Sequence, residues 1–171
     1  MMLATLRSRP RAKPVDESPI FVRYDGTREA FSLSGAKGRA VLSAEIVDRE
    51  STARTLADFA AVRGGASGAK DDACRVLEAT LLGAIGAERV LYVGLLEVDE
   101  RRRREGIGRR IWTELLDAAR ILGLGEAWLY ACYPAHRRDE KLRPIQFWSA
   151  CGFEIVHRTE WDTAIMRRAI R

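Results

Sequence analysis

The sequence contains few of the side chains that most often build metal sites. It has two histidines and three cysteines in 171 residues, and none of the cysteines fall in a Cys-x-x-Cys spacing. Because zinc is usually held by three or four such ligands, this supply argues against a metal-dependent protein. Cys74, Cys132 and Cys151 are an odd number and lie in apolar segments, which predicts buried, reduced thiols instead of a disulfide framework.

Long apolar runs are also missing. The longest, at residues 81–87 and 91–96, are much shorter than the roughly 20 residues that a membrane-spanning helix needs. No apolar signal core follows the first residues. We therefore expect a cytoplasmic protein that makes no membrane contact. With 47% hydrophobic and 31% charged residues, the rest of the composition is typical of one folded domain.

Positive charge exceeds negative charge, with a formal net charge of +5. Such an excess predicts a polyanionic partner of some kind. Residues 1–19 hold three prolines, no apolar periodicity and four basic side chains, namely Arg7, Arg9, Arg11 and Lys13. This composition predicts a mobile basic arm in front of a single domain at residues 20–171.

One segment joins a strong strand pattern to a strong helix pattern through a short basic loop. Residues 91–98 form the longest β-prone run, and the apolar positions after the loop recur at helical spacing at Ile107, Ile111, Leu115, Ala118 and Leu122. Between them, four arginines (101–104) precede Gly106 and Gly108. Glycine lets the chain turn sharply and a ligand approach closely. The unpaired N–H groups of the first helical turn favour an anion, so the loop predicts a phosphate site.

Two familiar phosphate motifs do not fit this loop. Gly106-Ile107-Gly108 lacks the third glycine of a dinucleotide fingerprint, and no Gly-Lys-Ser/Thr of a P-loop follows it. A turn with a solvated arginine face remains the alternative interpretation of the pattern.

The wider context of the loop resembles a known superfamily. Leu96-Glu97-Val98 followed by Arg103-Arg104-Glu105-Gly106-Ile107-Gly108 resembles the signature of the GCN5-related N-acetyltransferase (GNAT) superfamily, whose pyrophosphate loop reads Arg/Gln-x-x-Gly-x-Gly/Ala. Residues 147–153, Phe-Trp-Ser-Ala-Cys-Gly-Phe, resemble the later Phe-Tyr-x-x-x-Gly-Phe segment of that family. The resemblance covers residues 88–171. It implies a single α/β (α+β) domain whose mixed central sheet, of about six to seven strands, is splayed in the middle and flanked by helices.

The resemblance also implies an activity, which is acetyl transfer from acetyl-CoA to an amine by direct attack, without a metal. Coenzyme-binding residues implied by the two motifs are Leu96, Val98, Arg103, Arg104, Glu105, Gly106, Ile107, Gly108, Arg109, Phe147 and Trp148. Glu97 is the nearest strand carboxylate that could take the amine proton, with Glu45 and Asp99 behind it. The position of the usual tyrosine acid is Trp148, whose indole cannot serve. Tyr130, Tyr133 or water would then supply the proton.

The order of predicted elements departs from the family. Strands are predicted at residues 21–24, 30–34 and 39–47, and helices at 51–63 and 71–85, with a strand at 75–82 as the alternative to the second helix. The family places its two helices after the first strand and before two more. Here they directly precede the strand of the main motif, so the acceptor is not implied. A strand at 126–133, a short helix at 144–150 and a hairpin at 153–158 and 163–168 complete the prediction.

Two other functions compete with acyl transfer. Trp148 at the acid position favours a non-catalytic acyl-CoA-binding module, and the basic arm with Arg101–Arg104 favours a nucleic-acid-binding protein. The latter lacks a recognisable reading helix or aromatic platform. For the enzyme, the predicted partners are acetyl-CoA and an amine acceptor, which could be a small molecule, a protein or a charged tRNA. A homodimer is left open.

Overall fold

The computed structural model describes residues 19–35, 39–63, 70–133, 143–159 and 163–171. Within them the elements follow in the order β1 (Phe21–Asp25), β2 (Ala30–Ser34), β3 (Ala40–Asp48), α1 (Arg49–Arg63), α2 (Lys70–Ala84), β4 (Arg89–Val98), a short 3₁₀ helix (Glu100–Arg102), α3 (Ile107–Ile121), β5 (Glu126–Ala131), α4 (Pro144–Ala150), β6 (Glu154–Thr159) and β7 (Thr163–Ala169). Almost all of the predicted basic arm lies outside the described residues.

The strands form one open, mixed sheet of seven strands in the order β1-β2-β3-β4-β5-β7-β6. Every neighbouring pair is antiparallel except β4 and β5, which run parallel. β5 pairs with β4 only from Leu91 to Val93, so the two strands part beyond Val93. The predicted α/β fold with a mixed sheet is therefore confirmed.

Helices cover both faces of the sheet, because alternate strand residues point to opposite sides. α3 and α4 pack on one face, where Ile111, Leu115 and Leu129 belong to one buried cluster. α1 and α2 pack on the other face, where Leu56 and Trp128 belong to a second cluster. We call these the α3 face and the α1 face. The sheet lies between two helical layers, and each layer covers one of the two buried clusters.

The helix after the glycine loop begins at Ile107, as predicted, and ends at Ile121. Of the predicted stripe, Ile107, Ile111 and Leu115 are buried, whereas Ala118 is half-buried and Leu122 is exposed. Trp112, Leu116 and Ala119 are buried instead, so the buried face is rotated from the predicted one. Gly123 follows with a φ of 71°. That left-handed conformation suits a residue without a Cβ and ends the helix.

The order predicted for the N-terminal half is confirmed, because α1 and α2 connect the neighbouring antiparallel strands β3 and β4. The alternative strand at 75–82 is wrong, since those residues lie within α2. α1 begins two residues earlier than predicted. The Asp48 carboxylate accepts the N–H of Ser51 at 2.8 Å, so Asp48, directly before Arg49, caps the helix. Hydrogen bonds from Ser51 also lower the pKa of Asp48.

Two smaller predictions can be compared with the fold. Cys151 is buried, whereas Cys74 and Cys132 are only half-buried, so the prediction of buried thiols is correct for one of the three. In the described part of the chain, no helix combines the length and apolar character that crossing a bilayer requires.

Candidate functional site

The parting of β4 and β5 leaves one edge of β4, beyond Val93, without a strand partner in the part of the chain that the structure describes. The other edge stays paired with β3 as far as Val98, but the register shifts at one point. Ala44 pairs with Val93 and Ser43 pairs with Leu95, which leaves Gly94 as the extra residue of a bulge. A bulge bends its strand and increases the local twist, which accounts for the divergence here. Backbone N–H and C=O groups of β4 therefore face the gap.

The loop that follows β4 is shaped by two residues in the left-handed conformation. Arg104 has a φ of 74° and Gly106 a φ of 78°. Gly106 is the N-cap of α3, and no side chain among the described residues caps that end. The first backbone bond of the helix runs from the Arg110 N–H to the Gly106 oxygen at 3.0 Å. The N–H groups of the preceding turn, from Ile107 onward, thus form an uncapped helix N-terminus of the kind that binds anions.

Charged side chains of the loop are arranged so that positive charge dominates around this N-terminus. Glu105 pairs with Arg102, with 2.7 Å between Nη2 and Oε2. Arg103 donates from Nε to the Val98 carbonyl oxygen at 3.2 Å, which ties the loop to the end of β4. Arg104 and Arg109 are exposed. The carboxylate of Glu105 is thus matched by one arginine, and the other guanidinium groups leave a net positive charge.

Three of the predicted coenzyme-binding residues meet at Gly108. A Cβ at this position would lie 3.3 Å from Cζ of Phe147 and 3.5 Å from Cγ2 of Val98. Glycine is therefore the residue that lets α4 and the end of β4 pack closely on the first turn of α3. The Phe147 ring, which is partly exposed, forms one wall beside the loop.

Trp148, in contrast, points into the α3-face core. Its side chain is 7% exposed, and its ring centroid lies 5.8 Å from that of Trp112 and 5.2 Å from that of Phe153. Phe147 packs on it edge-on at 5.0 Å. The indole is thus a member of an aromatic cluster beneath the loop, and Phe147 is the ring that borders the loop itself.

The structure places the three predicted catalytic residues at different positions, on β4, on β5 and just after β5. Glu97 is exposed near the end of β4, where its register partner is Val41. Tyr130 is buried on the α1 face, with its hydroxyl 3.0 Å from the Thr159 hydroxyl and 2.9 Å from that of Thr163. Tyr133 is half-buried and follows β5. The phenol of Tyr130 is therefore already engaged with two threonines.

One residue near the gap was missed by the sequence reasoning, namely Tyr92. It is 7% exposed and pairs across the strands with Glu45. Burial raises the pKa of Tyr92 to about 12, and the negative charges of Glu45 and Cys132 add to the shift. The phenol therefore stays protonated at neutral pH. Simple strand alternation places Tyr92 and Glu97 on opposite faces, and the two share a face only because of the bulge at Gly94, which the sequence does not show.

Comparison with known proteins gives one sequence match and several similar folds. Residues 43–153, about two thirds of the chain, match the family model described as "Acetyltransferase (GNAT) family". No curated protein is significantly similar to the chain in sequence.

Several solved structures share the fold. Arylalkylamine N-acetyltransferase 2 from Aedes aegypti has a TM-score of 0.52 at 13% identity, over 83% of this chain and 73% of its own. A mosquito arylalkylamine N-acetyltransferase like 5b has a TM-score of 0.51 at 15% identity, over 82% and 74%. The polyamine N-acetyltransferase of Drosophila melanogaster has a TM-score of 0.51 at 16% identity, over 81% and 72%. Because the sequence identities are only 13 to 16%, these structural similarities show the fold alone.

Proposed function

Because this chain belongs to the GNAT family and is an N-acetyltransferase, we propose that acetyl-CoA is its donor and that the thioester binds in the gap between β4 and β5. The observation that carries the proposal is the uncapped N-terminus of α3, bordered by arginines and built around Gly106 and Gly108. Such an end supplies several N–H donors to one phosphate group, and the helix dipole adds to the attraction.

Each part of the reaction has a group to perform it. The N–H groups at the start of α3 bind the pyrophosphate, and the unpaired edge of β4 binds the amides of the pantetheine arm as a neighbouring strand would. An N–H near Val98 donates to the carbonyl oxygen as negative charge develops on it. The amine nitrogen attacks the carbonyl carbon, the C–S bond breaks, and the thiolate takes up a proton. Glu97 or a water accepts the proton that the amine loses.

Two measurements test this function. Acetyl-CoA should raise the melting temperature of the protein, and free thiol should be released when an amine is added. A purified protein that neither is stabilised by acetyl-CoA nor releases thiol with any amine of a broad panel would refute the proposal. The cytoplasmic compartment remains a prediction.

Tyr133 is the better candidate of the two tyrosines for the proton donor, because it is half-buried just past the end of β5, beyond the point where β4 and β5 part. Tyr130 is buried on the α1 face beneath Phe59. Tyr133→Phe should lower kcat by about a hundredfold or more, within the usual range for loss of a general acid. Tyr130→Phe should instead lower the free energy of unfolding by about 1 to 3 kcal/mol, because the buried hydroxyl of Thr163 and the half-buried hydroxyl of Thr159 lose a partner. Steady-state kinetics and urea unfolding of both variants separate the roles. The reverse pattern would assign the acid to Tyr130.

Arg103 should contribute to coenzyme affinity. A shielded, charge-assisted phosphate contact is worth about 1.5 to 3 kcal/mol, so Arg103→Ala should weaken coenzyme A binding roughly tenfold or more in isothermal titration. The hydrogen bond from Arg103 to the Val98 oxygen holds its guanidinium group at the end of β4. Because Arg104 is exposed, Arg104→Ala should weaken coenzyme A binding less.

Two control variants remove positive charge away from the loop. Arg158→Ala removes an exposed arginine of β6 and should leave the affinity unchanged. Deletion of residues 1–14 should do the same. If the deletion weakens coenzyme A binding as much as Arg103→Ala does, the basic arm belongs to the coenzyme site and our division of the basic residues is wrong.

A further inference from the structure

The guanidinium group of Arg168 lies where the end of α4 meets α3. Arg168 is half-buried on β7, and its register partner Ala127 belongs to the α3-face cluster. Its Nη1 donates to the carbonyl oxygen of Cys151, the residue that caps the C-terminus of α4. Its Cζ lies 5.5 Å from the centroid of the Trp112 ring on α3. One side chain of β7 therefore contacts both α4 and α3.

The glycine of the second motif makes room for this guanidinium group. Gly152 follows the cap of α4 with a φ of 87°, a conformation that favours glycine. A Cβ at this position would lie 3.2 Å from Cζ and 3.3 Å from Nη1 of Arg168. Gly152 therefore lets the chain turn out of α4 while the guanidinium group packs directly against that turn.

The same corner lies close to the start of α3. Burial raises the pKa of the Cys151 thiol, and the positive charges of Arg109 and Arg168 oppose that shift. Arg109 belongs to the first turn of α3. Because both guanidinium groups act on one thiol, Arg168 lies near the helix N-terminus that is proposed to bind the coenzyme phosphates.

Phe147 connects this corner to the phosphate site. Its carbonyl oxygen accepts the N–H of Cys151 at 3.1 Å, one turn before the end of α4. Its ring packs at the first turn of α3, where a Cβ at Gly108 would lie 3.3 Å from Phe147 Cζ. Because α4 has only seven residues, a shift of its end would also move Phe147 relative to α3.

We propose that Arg168 is a positioning residue for the coenzyme, which fixes the end of α4 against α3 and so holds Phe147 beside Gly108 before the coenzyme binds. The apparent affinity of a site falls in proportion to the fraction of molecules that already have the binding conformation. Arg168 raises that fraction, and it needs no contact with the phosphates to do so. This inference rests on the proposed function for the identity of the ligand.

Direct attraction between the Arg168 charge and the phosphates is the competing explanation. The guanidinium group is already engaged by the Cys151 oxygen and the Trp112 ring, which favours a structural role. Arg168→Lys separates the two explanations, because lysine keeps the charge but lacks the planar fork that can donate to an oxygen while it stacks on an aromatic ring.

Isothermal titration with coenzyme A tests the inference. Arg168→Met keeps an unbranched apolar stem and should weaken binding about tenfold, which corresponds to about one molecule in ten keeping the binding conformation. In turnover it should raise KM for acetyl-CoA more than it lowers kcat, because a saturating coenzyme restores that conformation. Arg168→Lys should also bind more weakly than the wild type, and it decides the comparison if circular dichroism shows that Arg168→Met is unfolded.

Two results of this titration would overturn the proposal. Wild-type affinity in a folded Arg168→Met variant would show that the position of Phe147 does not depend on Arg168. Wild-type affinity in Arg168→Lys would assign any loss in Arg168→Met to the missing charge, or show that the planar fork is not needed.

Arg167→Met is the matched control on the same strand. Arg167 is half-buried and lies opposite Trp128 of the α1-face cluster. Its Nη1 donates to the carbonyl oxygen of Ala84, the last residue of α2, at 3.3 Å. The control thus removes the same kind of hydrogen bond to a helix end on the other side of the sheet. Urea unfolding should show a loss of stability in both variants, but Arg167→Met should bind coenzyme A like the wild type.

The control also separates positioning from general stability. If Arg167→Met weakens coenzyme A binding as much as Arg168→Met does, the loss follows from stability alone and Arg168 has no special role. A wild-type protein that does not bind coenzyme A would refute both the proposed function and this inference. Tight binding that is equal in the wild type and Arg168→Met would refute only the inference and leave the donor assignment standing.

Discussion

Gly108→Asp should abolish the stabilisation of the protein by coenzyme A while the domain remains folded. At a ligand concentration 100 times the dissociation constant, the wild type should gain about 2.7 kcal/mol, and the variant should gain almost none. The new carboxylate would lie in the first turn of α3, where it would interact with the N–H groups that the phosphate needs and repel the phosphate itself.

The fold should tolerate Gly108→Asp because the new carboxylate interacts with the N–H groups at the start of α3. A carboxylate near a helix N-terminus is itself stabilising by about 0.3 to 1 kcal/mol. The new Cβ would lie 3.3 Å from the Phe147 ring, a contact that a small movement of this partly exposed ring relieves. Circular dichroism should therefore be close to that of the wild type.

Gly125→Asp is the matched control for this measurement. It introduces the same charge at a glycine whose Cβ would meet nothing within 4 Å, away from the loop. Differential scanning fluorimetry over a series of coenzyme A concentrations should give the wild-type shift for this control. An unchanged shift in Gly108→Asp would show that the phosphates bind elsewhere.

The loop could be predicted from the sequence because its function depends on local conformation. Gly106 adopts a φ of 78°, a conformation that favours glycine, and the absence of a Cβ at Gly108 lets Phe147 pack closely. Both features appear directly as residue types. The start of α3 at Ile107 was predictable for a similar reason, since its apolar stripe has helical spacing.

The surroundings of the gap between β4 and β5 could not be predicted in the same way, because they depend on contacts between distant segments. Tyr92 and Glu45 are brought together only by the pairing of β3 with β4, and α1 and α2 separate those strands in the sequence. The bulge at Gly94 also changes which residues share a face after it. Without the register, Glu97 was the obvious carboxylate and Tyr92 an ordinary strand residue.

The roles predicted for Trp148 and Tyr130 illustrate a second limit. Trp148 matches the family motif by position, yet its ring lies in the cluster with Trp112 and Phe153. Tyr130 was considered because of its residue type, and the partners of its hydroxyl, Thr159 and Thr163, lie on β6 and β7. Burial and hydrogen-bond partners of a side chain are tertiary properties, and residue type does not fix them.

Trp112→Ala should lower the free energy of unfolding by about 3 to 5 kcal/mol, the usual cost of removing a large buried aromatic side chain. Trp112 is 2% exposed, its ring lies 5.8 Å from Trp148 and 5.0 Å from Phe153, and the Arg168 guanidinium lies 5.5 Å above it. These contacts join α3 to α4, which carries Phe147 to the loop. Because a domain is typically stable by only about 5 to 15 kcal/mol, the loss would be a large fraction of the total.

Trp112→Phe separates packing from hydrogen bonding in this cluster. The indole Nε1 is buried and has no hydrogen-bond partner in the part of the chain that the structure describes, so its removal loses no bond, and relief of an unsatisfied donor partly offsets the lost volume. Urea unfolding should give a loss of about 1 kcal/mol for Phe, well below that for Ala. If Ala costs no more than Phe, the cluster does not hold α4 against α3, and the position of Phe147 beside Gly108 must depend on other contacts.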